Sequence, residues 1–107
     1  MSCLVVLVSA PSLRSARKIS SQLLEKKLAA CVTLVPSVES HYVWRGKKEK
    51  SREVLLIIKT MTSYYLKLEE SIKKLHSYSV PEIIAFPIKR GSRDYLKWIF
   101  STLHSSA

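Results

Sequence analysis

Apolar residues along this chain fall into two patterns, unbroken runs and helical stripes. "CLVVLV" (3–8) and "VLLII" (54–58) are unbroken runs bounded by polar residues. A half-buried strand alternates apolar and polar, because successive side chains point to opposite faces. Neither run alternates, so each predicts a strand covered on both faces. From Leu13, Ala16, Ile19, Leu23 and Leu24 recur at helical spacing, while Arg14, Arg17, Lys18 and Lys26 fall elsewhere. That stripe predicts a helix that opens at Ser12 beside Pro11 and ends near Leu28.

"ACVTLVP" is rich in β-branched residues and is interrupted by Pro36. Beyond it, Val38, Ser40, Tyr42 and Trp44 alternate with Glu39, His41 and Val43. The two pieces read as one long strand broken by a bulge at "PS", where proline is tolerated. "RGKKEKSR" (45–52) is expected to be the turn into the third strand, making an antiparallel hairpin. A second helix carries Tyr65, Leu68, Ile72 and Leu75, with Thr62 as its expected cap. Lys73, Lys74 and His76 crowd its last turn, where the helix dipole favours cations. "IIAFPI" (83–88) reads as a fourth strand, and Leu96, Ile99, Phe100 and Leu103 mark a terminal helix capped by Ser92.

The order β-α-β-β-α-β plus a helix predicts an α+β, ferredoxin-like sandwich, with strands one and three central. At 107 residues the chain is expected to be one domain over 1–107. Two helices cover one face of such a sheet. The other face would leave alternate members of both apolar runs in water, a larger patch than a soluble monomer tolerates. A terminal helix of about a dozen residues shields part of it, so a second copy of the sheet is the expected cover and the chain an obligate oligomer.

Composition adds a partner argument. Eighteen basic residues against eight acidic give +10, with one concentration at 45–52. Charge of this kind predicts nonspecific attraction to phosphate at low salt. Specific RNA recognition on this fold needs stacking aromatics on the third strand, and "EVLLIIK" has none. No specific nucleic-acid partner is expected. A C-x-x-C copper-chaperone pair is missing from the loop "SAPSLRS". With only Gly46 and Gly91 there is no glycine-rich phosphate loop, and no G-x-S-x-G or H-E-x-x-H occurs, so no enzyme is expected. Cys3 and Cys31 make neither a disulfide framework nor a zinc knuckle. "MSCLVVLVSA" lacks the basic start of a signal peptide, and no apolar run approaches the ~20 residues of a membrane helix. The expected location is the cytoplasm, without membrane association.

"LAACV" (28–32), "SHYVWRG" (40–46), "EVLLIIKT" (53–60), "HSYSVPEI" (76–83) and "YLKWI" (95–99) together resemble the CutA family of divalent-cation tolerance proteins. The resemblance implies a ferredoxin-like fold, a tight homotrimer similar to the PII proteins, and binding of copper or another divalent ion, with no cofactor required. Ser77 stands where the family usually has proline, Thr33 where it usually has asparagine, and 45–52 is basic where relatives are often acidic.

His76 and Glu82 lie in one short segment and form a partial ligand set, with Cys31 a soft third candidate. Each has a structural alternative: a helix-terminal histidine, an ion-pair partner and a small core thiol. By resemblance, Tyr42, Trp44, Lys59 and Tyr78 line a cleft between subunits. That cleft is either interface packing or a pocket in which Lys59 holds a small anion, as in a PII-like sensor.

Overall fold

A computed structural model describes residues 2–104. Strands β1 (Cys3–Ala10), β2 (Cys31–Trp44), β3 (Lys47–Met61) and β4 (Ile83–Pro87) alternate with helices α1 (Leu13–Glu25), α2 (Tyr65–Leu75) and α3 (Arg93–His104). The four strands make one antiparallel sheet in the order β2-β3-β1-β4. The two strands with unbroken apolar runs are therefore the central ones, as expected, and the fold is ferredoxin-like with an added terminal helix.

One face of the sheet carries the main core. Val6 and Val8 of β1 and Leu56 and Ile58 of β3 are fully buried against Ile19 and Leu23 of α1 and Leu68 and Ile72 of α2. Thr60, also fully buried, donates its hydroxyl to the Leu28 carbonyl at 2.7 Å. The opposite face is covered only at one end. There α3 packs Ile99 and Leu103 against Cys3, Ala30 and Met61. Beyond α3, Val5, Leu7, Leu55 and Ile57 stay half-buried and Ile84 and Phe86 are exposed. Register places Ile84 beside Leu7, and Phe86 beside Val5, on this open face.

The helix starts follow the sequence. Ser12 Oγ accepts from the Ser15 amide at 3.1 Å, and Ser92 Oγ accepts from the Tyr95 amide at 3.2 Å. Three boundaries differ. Helix α1 stops at Glu25 rather than near Leu28, because Lys27 turns left-handed (φ 56°) and the Leu28 amide bonds back to the Leu23 carbonyl. Thr62 does not cap α2. A single 3₁₀ turn, Thr62–Tyr64, comes first, and the Thr62 hydroxyl pairs with that of Ser2 at 2.7 Å. The basic segment 45–52 is not a turn. Arg45 (φ 51°) and Gly46 (φ 79°) alone reverse the chain, and Lys47 already belongs to β3. Positive φ at both central residues is the two-residue hairpin geometry that matches strand twist.

The bulge is present. Val35 faces Leu55 and Val38 faces Glu53, so β2 spends three residues where β3 spends two, with Ser37 at φ 59°. The hairpin is long: fourteen residues of β2, at ~3.3 Å each, account for the 45 Å long axis of the molecule.

Candidate functional site

A groove of about 620 Å³ lies between the outer half of the hairpin and the segment after α2. Its position follows from register. Beyond the bulge, Ser40, Tyr42 and Trp44 stand directly opposite Ser51, Glu49 and Lys47, on the face that carries Glu53, Leu55 and Ile57. Tyr42, Trp44, Glu49 and Glu53 line the hairpin side of the groove. Tyr78, Val80 and Glu82 close it from the 77–82 segment, and Ser9 contributes from β1.

His76 fixes that second wall. It is 9% exposed, and its Nε2–H donates to the Ser9 carbonyl at 2.6 Å. Its Nδ1 accepts from the Tyr78 amide at 3.1 Å. The two bonds define the Nε2–H tautomer and use both ring nitrogens. The ring also lies 4.7 Å from that of Tyr78, centroid to centroid. Tyr78, so placed, donates its hydroxyl to Glu53 Oε2 at 2.8 Å. Burial, and then the bond to Glu53, push the Tyr78 phenol up to about 12, so it keeps its proton at neutral pH.

Glu53 is the residue that reasoning from sequence passed over. It is 6% exposed and forms the inner end of the groove. Among the described residues no lysine, arginine or histidine forms an ion pair with it. The available signal was a carboxylate opening an otherwise apolar strand, in phase with Leu55 and Ile57. Glu49 was missed for a different reason, since it lay in the stretch read as a turn.

The expected metal ligands are not brought together. His76 is held by backbone partners, Glu82 is exposed on the groove wall, and Cys31 lies at the other end of the open face. Among the described residues no three of His, Cys, Asp or Glu stand close enough to share an ion. Of the expected cleft residues, Tyr42, Trp44 and Tyr78 do share the groove, whereas Lys59 does not line it. Lys59 Nζ instead donates to Thr33 Oγ1 at 3.2 Å and approaches Cys31 Sγ at 3.8 Å. Helix α3 packs over this end of the sheet, where burial, followed by the neighbouring Cys31, raises the Tyr95 phenol. The separation has a simple cause: Lys59 lies six residues along β3 from Glu53, ~20 Å of strand. The groove is thus acidic in a basic chain. Glu49, Glu53 and Glu82 line it, and no lysine or arginine does.

Comparison with known proteins agrees with the fold. Residues 4–102 match the family model "CutA1 divalent ion tolerance protein". The chain is 48% identical over 95 residues to the divalent-cation tolerance protein CutA of Thermus thermophilus, covering 89% of this chain and 92% of that protein. It is 43% identical over 103 residues to the chloroplastic protein CutA 1 of Oryza sativa, covering 96% of this chain but only 58% of the rice protein. A solved structure, that of the periplasmic divalent cation tolerance protein CutA from Archaeoglobus fulgidus, superposes with a TM-score of 0.92 at 40% identity, over 95% of this chain and 99% of that one. No helix among the described residues is long and apolar enough to cross a membrane.

Proposed function

We propose, for a chain that belongs to the CutA1 divalent ion tolerance family, that it is a non-catalytic homotrimer that binds divalent metal ions, copper foremost, in the acidic groove. The observation that carries this reading is the groove lining: three carboxylates, no lysine and no arginine, in a chain of net charge +10. Carboxylate oxygens suit divalent cations, and for mixed nitrogen and oxygen donors copper binds most tightly among the first-row divalent ions. His41 touches the groove edge, but alternation turns its side chain to the back of the hairpin with Glu39, where its Nε2 lies 2.8 Å from Glu39 Oε2, so the groove's own donors are oxygens. The donors within one chain are too dispersed for a closed site. A bound ion therefore keeps water ligands or takes donors from a neighbouring copy, which fits modest affinity.

The trimer is supported by the open apolar face, which another copy would cover. Binding without catalysis is supported by the sequence, which carries no G-x-S-x-G, H-E-x-x-H or glycine-rich phosphate loop. The free thiols of Cys3 and Cys31 suit a reducing compartment such as the cytoplasm. Isothermal titration with copper, zinc and ATP tests the reading. We expect saturable copper binding at or below about 100 μM, stronger than zinc and weakened in Glu82→Gln, with no ATP binding. Saturable ATP binding without copper binding would replace it with the PII-like anion reading.

A further inference from the structure

The hairpin has a second face, turned away from both the groove and the open apolar side of the sheet. Along β3, Lys48, Lys50 and Arg52 are in phase with Val54, Leu56 and Ile58, the residues buried beneath α1 and α2. The three cations thus continue the helix-covered side of the sheet past the end of β1, where Ala10 faces Val54. They lie across the sheet from the surface that another copy would cover. All three are exposed. Alternation spaces their Cα atoms ~6.8 Å apart, which makes a straight basic ladder ~14 Å long.

The ladder is not neutralised within the chain. On α2, Lys73 pairs with Glu69 at 3.4 Å and Lys74 with Glu70 at 3.3 Å. Lys48, Lys50 and Arg52 form no ion pair among the described residues. Strand β2 sets Val43, His41 and Glu39 opposite them. Glu39, the acid of that row, is engaged by His41 at 2.8 Å. Arg52 also borders a hollow with Ser12 and Leu13, where α1 begins, and the first turn of α1 carries the exposed Arg14 and no acid. Like charges held this close repel one another, and a polyanion laid along them relieves the repulsion.

We propose that this ladder binds the backbone of a single-stranded nucleic acid, one phosphate at each of Lys48, Lys50 and Arg52, without reading its bases. An extended strand presents successive phosphates at a comparable step and can lie straight along the ribbon, whereas each strand of a duplex winds away from a straight line. An acidic peptide matches the step only with acids on alternate residues, while every nucleotide carries a phosphate. The ring that the ladder face offers is His41, so contact is with phosphates rather than with stacked bases. This site is independent of the groove, and copper binding there neither supports nor weakens it.

Fluorescence anisotropy on the full, assembled chain, with a labelled oligothymidylate of about six nucleotides, tests the proposal. We expect a Kd of about 10–100 μM at ~0.05 M salt, and an oligoadenylate within about threefold of it. Contact with three phosphates gives log K a slope of about −2 against log salt. The combined variant Lys48→Gln, Lys50→Gln, Arg52→Gln should weaken binding at least about tenfold and flatten that slope, with circular dichroism showing it folded. Taking as many charges from α2, in the combined variant Lys67→Gln, Lys73→Gln, Lys74→Gln, should change the Kd by less than about twofold. Equal losses in the two variants would assign the binding to net charge rather than to the hairpin and overturn the proposal. So would a wild type that does not bind at ~0.05 M salt. Displacement by a glutamate hexapeptide as readily as by unlabelled oligonucleotide would make the ladder an acidic-peptide site and overturn it too.

Discussion

Replacing Ile84 with glutamate should dissociate the assembly without unfolding the chain. Ile84 lies on the edge strand β4, is 53% exposed, and faces outward beside Leu7 on the open face. Full burial of an isoleucine is worth about 2–3 kcal/mol, so covering the exposed half contributes about 1 kcal/mol to association. A glutamate there loses that contribution and must also shed water against an apolar partner, a further cost of about 3 kcal/mol. The sum, about 4 kcal/mol at each contact, weakens association about a thousandfold. In sedimentation velocity at about 10 μM, the wild type should run near three times the 12.2 kDa chain mass, and Ile84→Glu near the single-chain mass. Leu66→Glu is the control. Leu66 is 77% exposed on α2, across the sheet from the open face, and its substitution should leave the assembly intact. A wild type that sediments as a single chain, or an Ile84→Glu protein that stays assembled, refutes the reasoning.

Two further outcomes follow from the wall of the groove. The Tyr78 phenol is raised from 10.0 to about 12, so its contribution to folding is complete below pH 10 and is lost as pH rises through about 12. Tyr78→Phe should cost about 1 kcal/mol at neutral pH and remove the alkaline loss between those values, read by urea denaturation across pH. An unchanged alkaline slope would mean that another group carries it. His76→Ala should cost about 2–4 kcal/mol, because it leaves the Ser9 carbonyl and the Tyr78 amide without their partner, yet leave copper affinity unchanged in the folded protein. A loss of copper binding at unaltered stability would make the ring a ligand after all.

Strand order, the bulge and two helix caps were legible because each depends on local pattern: unbroken runs at 3–8 and 54–58, proline at 36, serines at 12 and 92. The ends of α1 and the hairpin were not. Each involves a residue other than glycine in left-handed backbone, Lys27 and Arg45, whose type does not announce it, although Gly46 beside Arg45 does mark a turn. Tyr42, Trp44 and Tyr78 could be grouped from the resemblance alone, but the partner that organises them could not. Glu53 acquires its role from a phenol 25 residues away, and His76 from a carbonyl 67 residues away. Lys59 stands apart from them within one chain, since sharing a face says nothing of distance along it.

The extra residue of β2 carries a consequence for how such chains can diverge. Shortening the 36–37 step by one residue would invert the phase of everything distal to it. Glu39, His41 and Val43 would then look into the groove, and Tyr42 and Trp44 would be turned to the back of the hairpin. No substitution of comparable size exchanges so much chemistry at once. Insertions or deletions at this step therefore change what a relative can bind even where every aligned side chain is the same.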